Sequence, residues 1–176
     1  VIFINRNSVK NSPNSPIAAV SLPDGEKASS VACCDDSVVV LSLNGRVFTS
    51  PVEKGSGVIN FSIVSELSGL EFVCVSGTYN HILAISKEGR VFGLGSNRCG
   101  QLCLNKRTKV DFSFTEILSL FGYKIRAAYA GYNHSLFETR EGKILSCGYN
   151  LFGELLLRSV TSENEYVYSP AETTIA

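Results

Sequence analysis

Two imidazoles, six thiols and one short basic run are the side chains of this 176-residue chain with the most chemistry to offer. His81 and His134 are its two histidines. A catalytic imidazole is ordinarily single and stands beside a nucleophile or a carboxylate. These two instead occupy the same place in a stretch that is written twice, which points to a structural imidazole in each unit, bonded to a neighbouring backbone group. The thiols are Cys33, Cys34, Cys74, Cys99, Cys103 and Cys147. No pair has the two-residue spacing of a zinc ribbon or finger. Reduced thiols are therefore expected, buried in the case of Cys34 and Cys147, with no metal and no cofactor. Gly95 and Gly100, like Gly148 and Gly153, share the glycine spacing of a phosphate-binding loop, but the lysine that would follow is missing. Asn97 and Asn150 read better as caps of that loop, bonded to local backbone.

Two further stretches depart from the duplicated pattern and are candidate partner-binding loops. One is the basic run Lys106, Arg107 and Lys109. The other runs from Arg158 to Tyr168 and offers Arg158, Tyr166 and Tyr168. Arginine and tyrosine are favoured contact anchors, and the lysines would suit an acidic protein or a phosphate. Sixteen basic and sixteen acidic residues cancel, with a sequence pI near 6.9. That balance gives no footprint for non-specific nucleic-acid binding. No apolar run has the length of a membrane span.

The elements that must position these residues come from the duplication. Asn80 to Leu102 aligns without a gap on Asn133 to Leu155. A degraded copy lies at Ser37 to Phe48, where Ser37 takes the histidine's place, and Val1 to Asn7 matches Val91 to Asn97. Long internal periods mark solenoids and propellers. Each copy carries a β-branched run, a turn ending in Gly45, Gly89 or Gly142, and a second apolar run, which is the pattern of a hairpin. Further strands are expected at Phe61–Val64, Glu71–Val75, Phe114–Leu118 and Lys124–Tyr129. Phe112 to Phe121 would also fit a short helical face through Ile117, Leu118, Leu120 and Phe121, and strand is preferred. Asn5 to Ser15 reads as an exposed loop. Four short strands in about fifty residues is the content of one propeller blade.

Gly131-Tyr132-Asn133-His134-Ser135, then Glu141-Gly142-Lys143, then Gly148 to Leu155 resembles the repeat of the regulator of chromosome condensation family. Residues 75–102 carry the same pattern with Gln101 intact and Ile82 in place of the serine. There is no tryptophan, which a tryptophan–aspartate propeller would need, and no glycine doublet of the kelch kind. In the degraded copy Ser37, Pro51 and Glu53 replace the histidine, a glycine and the asparagine. The resemblance implies an all-β fold: a partial β-propeller of about three to four blades, each a four-stranded antiparallel sheet, within a seven-bladed ring. Approximate blades are 1–30 (partial), 31–74, 75–127 and 128–176. A full ring needs on the order of 350 residues, so this chain is expected to be a segment of a longer protein, the remaining blades coming from another segment or chain.

For function the resemblance implies a regulatory or scaffolding module that binds another protein. The alternative is a guanine-nucleotide exchange factor for a small GTPase, which would open a nucleotide site without covalent chemistry. No exchange residue can be carried onto a numbered position, and no set of nucleophile, base and acid can be assembled, so an enzyme is not expected. Reduced thiols suggest an intracellular protein of cytoplasm or nucleus.

Overall fold

A computed structural model describes residues 2–4, 18–51, 60–157 and 165–173. Fourteen strands are found there, in three four-stranded antiparallel sheets and one two-stranded sheet. The short sheet pairs β1 (Ile2–Ile4) with β2 (Ala18–Val20). The first full sheet contains β3 (Ala28–Cys33), β4 (Ser37–Ser42), β5 (Val47–Pro51) and β6 (Ser62–Ile63). The second contains β7 (Phe72–Thr78), β8 (His81–Ser86), β9 (Val91–Asn97) and β10 (Thr108–Glu116). The third contains β11 (Ile125–Ala130), β12 (His134–Thr139), β13 (Ile144–Tyr149) and β14 (Tyr166–Glu172). Within each sheet every strand pairs with the one that follows it in sequence. The all-β reading and the blade-like meander are thus what the chain adopts.

The duplicated stretches fold alike because the hairpin chemistry repeats. Ser42, Ser86 and Thr139 each close the turn twice: the backbone N–H donates to the carbonyl of Arg46, Arg90 or Lys143 at 2.9 Å. Their hydroxyl oxygens accept the N–H of those same residues at 3.2–3.3 Å. Gly89 sits in this turn with φ of +87°, a left-handed conformation that a side chain resists.

Burial explains why β8 looks different from β12. All six residues of β8 are buried. Ile82 and Ala84 pack with Val39, Leu41, Phe72 and Phe92 between the first and second sheets. Leu83 and Ile85 point the other way, joining Ile125, Phe137 and Leu145 between the second and third. Alternate residues of a strand face opposite sides, so an unbroken apolar run is what a sheet sandwiched on both faces requires. In β12, by contrast, only Ser135, Phe137 and Thr139 are fully buried.

Two expected strands end early. Phe61–Val64 supplies only Ser62–Ile63 before a 3-10 turn at Ser65–Leu67, and the strand through residue 116 gives way to a 3-10 turn at Leu118–Leu120. Ile117 and Leu120 are buried while Leu118 and Phe121 are exposed. That three-residue period fits a 3-10 turn, in which i and i+3 lie on one side. The expected loop at residues 5–15 lies outside the described residues.

Candidate interaction surface

The imidazole of His81 is fully buried and bonds across sheets. Its Nε2 lies 2.9 Å from Ser135 Oγ, on β12 of the next sheet. Ser135 in turn donates its hydroxyl proton to the Gln101 carbonyl at 2.7 Å. Nδ1 lies 3.1 Å from Asn80 Oδ1. The expectation of a backbone partner is corrected here: the imidazole meets a serine hydroxyl because β8 and β12 face each other at this height, and the backbone carbonyl is reached through that serine. Burial pushes the His81 pKa down to about 4, with a smaller effect from the His134 charge. A serine beside a histidine is also the geometry of a nucleophile and its base. Here both side chains are fully buried.

Asparagines extend this link. Asn80 Nδ2 donates to Asn133 Oδ1 at 2.7 Å, again from the second sheet to the third. Gln101 Nε2 donates to Asn80 Oδ1 at 3.1 Å. Asn97 is buried; its Oδ1 accepts the Leu102 N–H at 2.8 Å and its Nδ2 donates to the Lys106 carbonyl at 2.8 Å. Asn150 Oδ1 likewise accepts the Leu155 N–H at 3.0 Å, while Asn150 Nδ2 finds no acceptor among the described residues. Gly95 and Gly148 lie against the Asn80 and Asn133 carbonyls, where a Cβ would collide. Gly100 packs on Val167 and Tyr168, and Gly153 turns its loop with φ of +81°. His134 is half-buried, and burial lowers its pKa too.

The thiols need a second correction. Cys103 and Cys147 form a disulfide, their Cα atoms 5.8 Å apart. The loop after β9 folds onto β13 and brings together two buried sulfurs that lie far apart in sequence. Cys33 is exposed, and Cys34, Cys74 and Cys99 are half-buried, all four as free thiols. Two of the six cysteines are thus oxidised rather than reduced.

Antiparallel sheets put their connections at two ends. One end gathers the turns before β4, β8 and β12 and the long loops after β9 and β13. There the two candidate loops come together: the Asn105 N–H donates to the Tyr168 carbonyl at 2.9 Å. Lys106 and Arg107 are exposed, Tyr166 is exposed, and Tyr168 is half-buried against Gly100. Lys109 lies in β10, and Arg158 falls outside the described residues. Tyr149 links the loops: its ring meets Phe152 at 6.3 Å and Tyr166 at 5.5 Å between centroids. The Glu165 charge holds the Tyr166 hydroxyl above its usual pKa. Tyr79 and Tyr132 stack at this end as well. Sequence reasoning passed over that pair, although both stand two residues before the repeat histidine. Ser135 was also missed as a bonding partner, despite its place directly after His134.

The opposite end carries the glycine hairpins and a groove lined by Arg90, Glu116, Leu120, Phe121, Tyr123 and Lys124. Arg90 forms a two-pronged pair with Glu116 at 2.7 Å on each arm. Among the described residues no group of three or more metal-binding side chains converges, and no helix is long and apolar enough to cross a membrane.

Residues 72–101 match the model of the regulator of chromosome condensation repeat. The human probable E3 ubiquitin-protein ligase HERC4 is 38% identical over 92 residues, which cover 52% of this chain and 9% of that protein. The bovine secretion-regulating guanine nucleotide exchange factor is 36% identical over 81 residues, covering 46% of this chain and 17% of the relative. The chain thus matches less than a fifth of the length of either relative. The crystal structure of human WBSCR16 superposes with a TM-score of 0.74 at 20% identity, covering 93% of this chain and 42% of the other, a likeness of fold. Residues 72–101 thus carry the regulator of chromosome condensation repeat motif, and the four-stranded sheets of the chain have the fold of β-propeller blades.

Proposed function

We propose that the chain serves as a rigid protein-interaction module whose contacts are made by the loops at the ends of its sheets. The observation that carries this reading is the exposure of large apolar side chains on those loops: at one end Phe152 is 83% exposed, next in sequence to the exposed Leu151, and its ring and that of Tyr166 both meet Tyr149, while at the other end Phe121 is 84% exposed. Exposed aromatic residues on loops suit a partner surface. Among the described residues the His81–Ser135 pair is buried and joins two sheets. Binding is therefore the activity assigned, and no covalent step is attached to it.

A second reading is favoured by the exchange-factor relative: the module would bind a small GTPase and loosen its nucleotide. The two readings separate cleanly. A GTPase preloaded with fluorescent GDP is mixed with the chain and nucleotide release is timed. Faster release supports exchange, whereas binding without faster release supports plain scaffolding. For the first reading, Leu151→Ser combined with Phe152→Ala should leave the melting temperature unchanged yet lower retention of a purified partner about tenfold. Equal retention would contradict the assignment of this cluster to partner contact.

A further inference from the structure

Asp35, Tyr79 and Tyr132 occupy one repeat position in three successive sheets, two residues ahead of Ser37, His81 and His134 respectively. The fold lines them up at the end that bears the long loops. The tyrosine rings stack face to face, 4.5 Å between centroids and 10° apart in plane. They remain 47% and 60% exposed. Asp35 is held beside them by its own N–H, which donates to the Tyr79 carbonyl at 2.8 Å. The Tyr132 hydroxyl is raised in pKa by its bond to Tyr79 and, to a lesser extent, by the Asp35 charge. Asp35 and Asp36 are both exposed, and neither takes part in an ion pair among those found within the described residues. A cavity of ≈ 290 Å³ opens between Asp35, Asp36, Tyr79, Asn80 and Arg98.

We propose that this row is a docking surface for a basic segment of a partner protein, with a lysine or arginine side chain seated against the tyrosines and the two aspartates. The proposal rests on the reading of the chain as an interaction module and adds the charge of the partner. Aromatic faces attract cations, and a guanidinium can also pair with a carboxylate through two parallel bonds. Two carboxylates beside a stacked aromatic pair favour a cation over an anion or a purely apolar group. Arg98 on the cavity rim works against the incoming charge, so its removal should strengthen binding.

The test uses the whole chain and two labelled peptides followed by fluorescence anisotropy. One is Gly-Arg-Gly-Lys-Gly-Arg-Gly; the other has glutamate at each basic position. The basic peptide should bind, more weakly as salt rises, and the acidic one should not. Asp35→Asn with Asp36→Asn should weaken binding about tenfold, and Tyr79→Leu about threefold to fivefold. Arg98→Ala should tighten it about threefold. In a parallel titration the Tyr79 and Tyr132 ring resonances should shift. Absence of basic-peptide binding, indifference to the double aspartate change, or unmoved tyrosine resonances would each overturn the proposal. A partner that still binds the double aspartate variant at full strength, but is lost with Leu151→Ser and Phe152→Ala, would sink this surface while leaving the interaction-module reading intact.

Discussion

His81 carries the argument at the scale of single residues, because its imidazole bonds one sheet to the next from a site closed to water. Its pKa near 4 makes a pH prediction. An unfolded histidine takes up its proton near pH 6.5, whereas the folded one resists until about 4. Between those values the unfolded chain binds more protons, so stability is complete above 6.5 and falls as pH drops through the window. The loss approaches about 3 kcal/mol at the acid end. Denaturant unfolding at pH 7 and pH 4.5 checks this, and His81→Gln should flatten the difference. An equal pH dependence in the variant would assign the acid sensitivity elsewhere. The sequence placed the two histidines in equivalent positions and so made an architectural role legible. What it hid was the partner, since Ser135 belongs to a different repeat and only the packing of β8 against β12 brings them together.

At the scale of elements the hairpin turns make the comparison. Gly45 and Gly89 not only adopt positive φ but press on the strand that opens the next sheet. A Cβ at Gly89 would lie 3.1 Å from the backbone N and O of Ile125. At Gly142, φ is +83° and such a Cβ would meet nothing among the described residues. Gly142→Ala should therefore cost about 1 kcal/mol, the strain of a left-handed backbone alone. Gly89→Ala should cost about 2–3 kcal/mol, since sheet contact is disturbed as well. Thermal unfolding of the two variants measures the gap, and equal losses would deny that the hairpin wedges against its neighbour. The turns were readable because the glycine recurs in all three copies. The 3-10 turns were not: Ile117 to Phe121 is apolar but for Ser119, and strand and tight helix differ there chiefly in which residues the neighbouring sheet covers.

For the whole molecule, what matters is how successive sheets are joined. The disulfide between Cys103 and Cys147 ties the loop of the second sheet to the third. Closing a loop of 44 residues contributes about 4 kcal/mol by restricting the unfolded chain. Cys103→Ser should lower the melting temperature, and the same drop should appear in the native chain on adding reductant. Alkylation without reductant should leave two of the six thiols unlabelled. Labelling of all six would show the pair reduced. This bond was illegible in the sequence because Cys103 and Cys147 align with Leu156 and Leu94 of the other copy, so no repeat logic pairs them. The loop cluster was half legible. Lys106, Arg107, Tyr166 and Tyr168 stood out by departing from the pattern, yet their meeting depends on the start of β14 packing against the loop after β9. Tyr79 and Tyr132 were overlooked for the opposite reason, being part of the pattern itself.

The most direct test of the central claim, that the repeat imidazole serves to lock one sheet to the next, is a double-mutant cycle of His81→Ala and Ser135→Ala read by equilibrium unfolding. The combined variant should lose less stability than the sum of the single losses, with a coupling of about 1–2 kcal/mol. Strict additivity of the two losses would contradict the account.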